Sequence, residues 1–137
     1  MCIRDSNESV LLIKKLKNGV DSEIKRYDFH SKKWQDEVFS YHSKEIVIIE
    51  GILVLCIEGL RDLIDYSVFL NLSEMVALNR RIQRSGHAES NIRRWKTVSQ
   101  QYYRDILPCA KYANLILDSE NSSTEEMADR IYSMVKI

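Results

Sequence analysis

The spacing of apolar and polar residues predicts five helices. Apolar positions three and four apart, the spacing of one helix face, recur along most of these segments. Local signals mark their ends: Gly19 follows the first helix, Ser73 caps the third, Pro108 ends the fourth, and Ser123 begins a capping box with Glu126. The predicted helices cover residues 7–18, 59–64, 73–84 and 88–106, and a last helix begins at residue 124.

Three apolar runs, the first of them rich in β-branched residues, alternate with these helices and predict buried strands. They cover residues 45–52, 66–72 and 113–117. Runs that are apolar on both faces are typical of strands covered on both sides. Two more polar segments, 23–27 and 37–41, are interpreted as short strands or loops. The alternation predicts an α/β fold with a parallel sheet, in which ligands bind at the carboxyl ends of the strands.

Composition narrows the class of protein. Of the 137 residues, 45% are apolar, and twenty basic residues balance twenty acidic ones. The zero net charge argues against binding to nucleic acid or to a membrane surface, and no apolar run reaches the roughly 18 residues that span a bilayer. The unpatterned cysteines at 2, 56 and 109, with no signal-peptide pattern, lead us to expect a cytoplasmic protein.

Acidic and basic side chains lie where phosphate and metal could bind. Glu50, at the end of a predicted strand, could hold Mg²⁺, although a Glu that pairs with a nearby arginine is the alternative. Arg81 and Arg84 share one helix face and could bind one polyphosphate, although a solvated basic helix end is the alternative. The same two interpretations, phosphate binding or a solvated basic helix face, apply to Arg93 and Arg94. None of the four glycines opens a G-x-x-x-x-G-K-[ST] loop, so a phosphate site is only partly present.

Six short motifs occur in a fixed order between residues 27 and 114. They resemble the patterns Y-D-[FY], E-G-I-L, R-D-L, F-V-D, R-R-[VI]-x-R and P…K-Y-A-D of the uridine kinase and phosphoribulokinase family of P-loop kinases, and among these most closely the uridine–cytidine kinases. The motifs here are Tyr27-Asp28-Phe29, Glu50-Gly51-Ile52-Leu53, Arg61-Asp62-Leu63, Phe69-Leu70-Asn71, Arg80-Arg81-Ile82-Gln83-Arg84 and Pro108 followed by Lys111-Tyr112-Ala113-Asn114. A match to any one of these motifs is weak evidence for the family, whereas all six motifs in the same order are specific evidence for it.

The resemblance implies a fold and a site. The fold is a P-loop NTPase-like parallel sheet with flanking helices, incomplete here because the family's P-loop strand precedes residue 7. Tyr27 and Phe29 would border a nucleoside base pocket, Arg81 would contact the phosphate-accepting substrate, and Arg84 would contact the ATP phosphates. Glu50 would be a magnesium-associated carboxylate. ATP and Mg²⁺ are the cofactors that the resemblance implies, and a uridine- or cytidine-like nucleoside is the substrate.

The resemblance also implies a division of the chain. Residues 1–6 resemble translated adaptor sequence and are interpreted as an artefactual leader, and residues 7–137 as the C-terminal part of the kinase domain. The family's P-loop lysine, its Mg²⁺-binding Ser/Thr and its general-base aspartate come earlier, so we assign no catalytic residue and expect this chain to be inactive alone. In the family the P-loop strand lies between the strands at 45–52 and 66–72. We therefore expect unpaired strand edges and marginal stability or aggregation.

Departures from the family pattern leave the acceptor open. Lys32 stands where the family has a nucleoside-reading histidine, with His30 two residues earlier. The lid pattern R-G-R becomes Ser85-Gly86-His87 with several residues deleted, for which His87, Arg93 or Arg94 could compensate. A sugar phosphate or a pantothenate-like alcohol is the alternative acceptor, and a non-catalytic binding module paired with another subunit is the alternative to a kinase. The phosphate donor and homo-oligomerisation of the complete protein are also left open.

Overall fold

The computed structural model describes residues 6–28, 31 and 33–135, except for the side chains of Ser6, Arg26 and Tyr27. Phe29, His30, Lys32 and residues 1–5 of the proposed leader lie outside the described residues. The chain divides into two units, the first ending at Ile64 and the second beginning at Asp65. Each unit combines helices with a two-stranded sheet, antiparallel in the first and parallel in the second. The α/β class and the parallel sheet with flanking helices that the sequence predicts are confirmed.

The first unit begins with helix α1, Ser6–Lys17, followed by a β-hairpin of β1, Ser22–Asp28, and β2, Lys33–Tyr41. Gly19 ends the helix in the left-handed region, at φ 79°. The amide of Val20 donates to the Lys15 carbonyl at 3.0 Å and that of Gly19 to the Leu16 carbonyl at 3.1 Å, which is the Schellman pattern. The predicted stop at Gly19 is therefore confirmed.

One face of α1 forms the core of this unit. Three of its apolar side chains are buried with Leu60 of the short helix α2, Glu58–Arg61, which follows a 3₁₀ turn at Val54–Cys56. The two helices approach closely, since a Cβ added at Gly59 would lie 3.2 Å from a methyl group of Val10. The buried residues contributed by α1 are Leu12, Ile13 and Leu16.

The strand predicted over residues 45–52 is wrong. Residues 46–51 lie in no helix or strand, and among the described residues none of the amides of 46–50 donates to a backbone carbonyl. Ile48 is 89% exposed, and only Ile49 packs on the α1 core. A strand needs a neighbour to satisfy its backbone hydrogen-bonding groups, and the described residues supply none here.

The second unit is built on the parallel pair β3, Val68–Asn71, and β4, Leu115–Asp118. Between them lie helix α3, Glu74–Ser85, helix α4, Ala88–Gln101, a π-helical turn at Tyr102–Ile106 and a 3₁₀ helix at Leu107–Tyr112. Helix α5, Thr124–Val135, follows β4. Leu117 in β4 is fully buried, but Leu70 and Ile116 are about half exposed, so the predicted two-sided burial of these strands is wrong.

Two of the three local signals in this unit, the Ser73 cap and the Ser123–Glu126 capping box, are confirmed, and the stop predicted at Pro108 is wrong. The Ser73 hydroxyl caps α3 by accepting from the Val76 amide at 3.5 Å. Ser123 and Glu126 form a reciprocal capping box, in which the Ser123 amide donates to the Glu126 carboxylate at 2.8 Å and the Glu126 amide donates to the Ser123 hydroxyl at 3.1 Å. Pro108 does not stop the helical backbone, because it occupies the first turn of the 3₁₀ helix, where its missing N–H is not needed.

Among the described residues, no helix combines the length and the apolar character that crossing a membrane requires.

Candidate functional site

The carboxyl ends of β3 and β4 lie side by side, since Asn71 is paired in register with Asp118. Ser119, the next residue, donates to the Asn71 carbonyl twice, from its amide at 2.9 Å and from its hydroxyl at 3.1 Å. The Tyr102 hydroxyl donates to the Asn71 side-chain oxygen at 3.5 Å, and burial raises the pKa of this phenol. This edge, where parallel sheets bind ligands, is polar and internally hydrogen-bonded.

Two hydrogen bonds join helix α3 to the same edge, one at the residue that caps the helix and one in its second turn. Arg80 Nη2 donates to the Ser119 carbonyl at 2.8 Å, and the Ser73 amide donates to a carboxylate oxygen of Glu120 at 2.9 Å. Arg80 is thus engaged with the backbone after β4, which separates its role from those of Arg81 and Arg84.

Asp118 organises the turn that leaves β4. The Asn121 side-chain amide donates to its carboxylate at 2.7 Å, and the backbone amides of Glu120 and Asn121 donate at 2.9 and 3.2 Å. These hydrogen bonds, that from the Asn121 side chain most, hold the pKa of the Asp118 carboxyl below its ordinary value of 3.8.

Arg81 lies at the junction of α3 and α4, where Gly86 and His87 form the whole connection. Gly86 has φ 68°, in the left-handed region that ends a helix without strain for glycine. Arg81 Nε donates to Asn91 Oδ1 at 2.8 Å, which joins the end of α3 to the first turn of α4. The connection at Gly86 and His87, where the resemblance implies a shortened lid, is therefore a tight turn of two residues.

Arg84 is exposed and makes no hydrogen bond or ion pair among the described residues. The turn that follows α3 and the first residues of α4 surround an open depression of about 340 Å³, which Arg84 does not line. Its lining residues are Gly86, His87, Ala88, Glu89, Ser90 and Arg93. The structure thus brings together His87 and Arg93, two of the three side chains considered as substitutes for the lid arginines, whereas Arg94 does not line this depression.

The remaining predicted site residues belong to the first unit. Glu50 is exposed and lies in the segment that forms no strand, so it does not occupy the strand end that the sequence predicts. The backbone of Tyr27 pairs with Trp34 across the hairpin, but its side chain and all of Phe29 lie outside the described atoms. The roles assigned to Glu50, Tyr27, Phe29, Arg81 and Arg84 therefore stay predictions.

Sequence reasoning missed Asn91, whose side chain is 9% exposed. A signal for it exists, because Asn91 lies four, seven and eight residues before Trp95, Val98 and Ser99, which are half-buried or buried on the same helix. It also missed the Ser67–Asn114 pair at the start of the parallel strands. There the Asn114 side-chain oxygen accepts from the Ser67 amide at 2.8 Å and from its hydroxyl at 2.9 Å.

Comparison with known proteins identifies the family to which this arrangement belongs. The sequence profile described as the Phosphoribulokinase / Uridine kinase family matches residues 5–125. The chain belongs to this family. It is 33% identical over 138 residues to a uridine kinase of Ligilactobacillus salivarius, with 94% of this chain and 64% of the relative covered.

Two further members of the phosphoribulokinase/uridine kinase family are similar over most of the chain. A uridine kinase of Macrococcus caseolyticus is 27% identical over 134 residues, with 91% of this chain and 65% of the relative covered. A uridine kinase of Borrelia duttonii is 33% identical over 119 residues, with 82% and 58% covered. The chain thus spans less than two thirds of the length of each of these relatives.

Proposed function

We propose that the complete protein to which this chain contributes transfers the γ-phosphoryl group of Mg-ATP to the primary hydroxyl of a nucleoside such as uridine or cytidine. The observation that carries the proposal is the position of Arg81 and Arg84, three residues apart near the end of α3, in a member of this kinase family. Similarity to several proteins named uridine kinase supports a nucleoside acceptor.

Phosphoryl transfer depends on positioning and on neutralising the charge of the phosphates. In the proposal Arg84 binds the ATP phosphates and Arg81 lies on the acceptor side, so that the two guanidiniums flank the phosphoryl group in transfer. Tyr27 and Phe29 border the base of the acceptor. The 137 residues contain no G-x-x-x-x-G-K-[ST] motif, and the chain alone is expected to lack activity.

Whether the chain can bind Mg²⁺ depends on the carboxylate ligands that it supplies. The described residues contain no group of three or more His, Cys, Asp or Glu side chains that could hold a metal ion. Kinases usually hold Mg²⁺ through one or two carboxylates together with substrate phosphates and water, so a single carboxylate fits a shared site of this kind. Glu50 would supply that carboxylate, and the bound ion would neutralise charge on the phosphates.

A sugar phosphate is the second candidate acceptor. The family profile covers phosphoribulokinases as well as uridine kinases. The His87 and Arg93 side chains around the depression at the start of α4 are basic groups that could face an acceptor phosphate. A pantothenate-like alcohol, without a phosphate, has no such support.

The test uses the complete protein, obtained by extending the reading frame upstream of residue 7. Transfer of labelled phosphate from Mg-ATP to uridine or cytidine, well above transfer to a sugar phosphate, is the expected result. Arg84→Ala should lower kcat/KM by about tenfold or more, mainly through KM for ATP, whereas the matched loss of charge in Arg130→Ala should leave it unchanged. Transfer to neither nucleoside would overturn the proposal, and preferential transfer to a sugar phosphate would replace it by the second candidate.

A further inference from the structure

Asn91 is a buried polar side chain in the first turn of α4, and all of its hydrogen-bonding groups are used. Its oxygen accepts from Arg81 Nε at 2.8 Å. Its nitrogen donates to the Ser85 hydroxyl at 2.5 Å and to the His87 carbonyl at 2.7 Å. A side-chain amide has one oxygen acceptor and two N–H donors, and in Asn91 each of these groups has a hydrogen-bond partner. It fixes the turn between α3 and α4 and one end of Arg81 together.

The contact determines what Arg81 can offer to a ligand. The guanidinium is planar, so fixing Nε restricts the plane of the whole group. Arg81 makes no other hydrogen bond or ion pair among the described residues, which leaves both Nη groups and their four N–H donors for a ligand. A side chain that is already ordered loses less conformational entropy when it binds an anion.

The chemistry of residue 91 suits this task better than the obvious alternatives. An apolar residue could fill the same space but would leave Arg81 Nε without an acceptor. An aspartate would accept the same hydrogen bond but would also form an ion pair and neutralise the guanidinium. An asparagine orients the arginine and leaves its positive charge uncompensated.

We propose that Asn91 is a positioning residue for phosphoryl transfer, holding Arg81 by Nε so that its two Nη groups stay free for an anionic oxygen. The inference rests on the proposed function, in which Arg81 flanks the phosphoryl group. It adds a residue on α4 to a site whose arginines lie on α3.

The test is a titration of the 137-residue chain with inorganic pyrophosphate, followed through the Nε–H signals of its arginines by NMR. In the unaltered chain, the Arg81 signal should exchange slowly with solvent and should shift as pyrophosphate binds. Asn91→Ala should weaken binding by about fivefold or more, because the guanidinium is no longer held. Asn91→Asp should weaken it further, although the aspartate keeps the acceptor for Nε.

The matched control is Trp95→Phe. Trp95 Nε1 donates to Glu74 Oε1 at 2.8 Å and so provides a second polar link between the same two helices, one that does not involve Arg81. This variant should bind pyrophosphate within about twofold of the unaltered chain, as expected for a site that it does not touch. Thermal melts of all variants separate effects on binding from loss of the fold.

Three results would overturn the inference: equal affinity in Asn91→Ala and the unaltered chain, an equal loss of affinity in Trp95→Phe, or an Arg81 signal that pyrophosphate does not move. If Asn91→Ala unfolds, Asn91→Asp decides, and unchanged affinity there would count against the inference. A complete protein that phosphorylates no nucleoside, with the Asn91 effect intact, would overturn the proposed function and leave Arg81 positioning in place.

Discussion

Two apolar runs of this chain behave in opposite ways. Residues 68–71 form β3 against the parallel strand β4, whereas residues 46–51, which are richer in isoleucine and valine, lie in no strand. Ile48 in the second run is 89% exposed, while Leu117 in β4 is fully buried. The difference lies in the neighbours and not in the runs, because a strand becomes stable when another backbone satisfies its hydrogen-bonding groups.

Hydrogen bonds that involve Ser and Asn side chains also fasten the parallel strands β3 and β4 together at both ends. Ser67 and Asn114 exchange hydrogen bonds before the strands begin, and Ser119 donates to the Asn71 carbonyl where they finish. Such fastening matters because four paired residues per strand are few. No comparable contact holds residues 46–50 among the described residues.

The largest expected effect comes from truncating one apolar side chain in each region. Leu117→Ala should destabilise the second unit by about 3 kcal/mol, since it removes a fully buried side chain and leaves a cavity. Ile48→Ala should change stability by less than about 0.5 kcal/mol, because that side chain is already in solvent. Urea denaturation of both variants measures the two values. Similar losses would mean that residues 46–51 are packed and that the contrast is wrong.

Removing the fastening at the start of the strands should have an intermediate effect. Asn114→Ala should cost about 1 kcal/mol, because it removes the acceptor of both the Ser67 amide and the Ser67 hydroxyl at an exposed position. Exposed Asn79 in α3 provides the matched control, and Asn79→Ala should stay within about 0.5 kcal/mol of the unaltered chain. In a double-mutant cycle Ser67→Ala and Asn114→Ala should cost less together than the sum of the two. Strict additivity would show that this pair does not fasten the strands.

The smallest effect concerns pH at the other end of β4. The folded-state pKa of Asp118 is lowered, chiefly by the hydrogen bond from the Asn121 side chain. The ionised carboxylate therefore stabilises the fold above the ordinary pKa of 3.8, and this contribution is lost as the pH falls through the lower folded-state value. Carboxyl-carbon NMR should give a midpoint below 3.8, and Asn121→Ala should raise it. A midpoint at or above 3.8 would contradict the turn geometry.

Features that depend on a few consecutive residues could be predicted from the sequence. The Gly19 stop, the Ser73 cap and the box formed by Ser123 and Glu126 are such features, since each is a local hydrogen-bonding pattern. The motif order likewise gave the family.

Features that depend on distant partners could not be predicted. The run at 45–52 has the composition of a buried strand, yet composition does not say whether another strand pairs with it. Arg80 belongs to the same sequence motif as Arg81 and Arg84, but its partner is a carbonyl 39 residues away. Asn91 matches no site motif, because its importance comes from the turn that places it against Arg81.

Amide hydrogen exchange of the 137-residue chain tests most directly the claim that available partners decide which run becomes a strand. The account predicts slow exchange for Leu115 and Ser119, whose amides donate to the Ser67 and Asn71 carbonyls at 3.1 and 2.9 Å. It predicts exchange near the rate of an unstructured peptide for Val47 and Ile48. Strong protection of Val47 and Ile48 in this chain would contradict it.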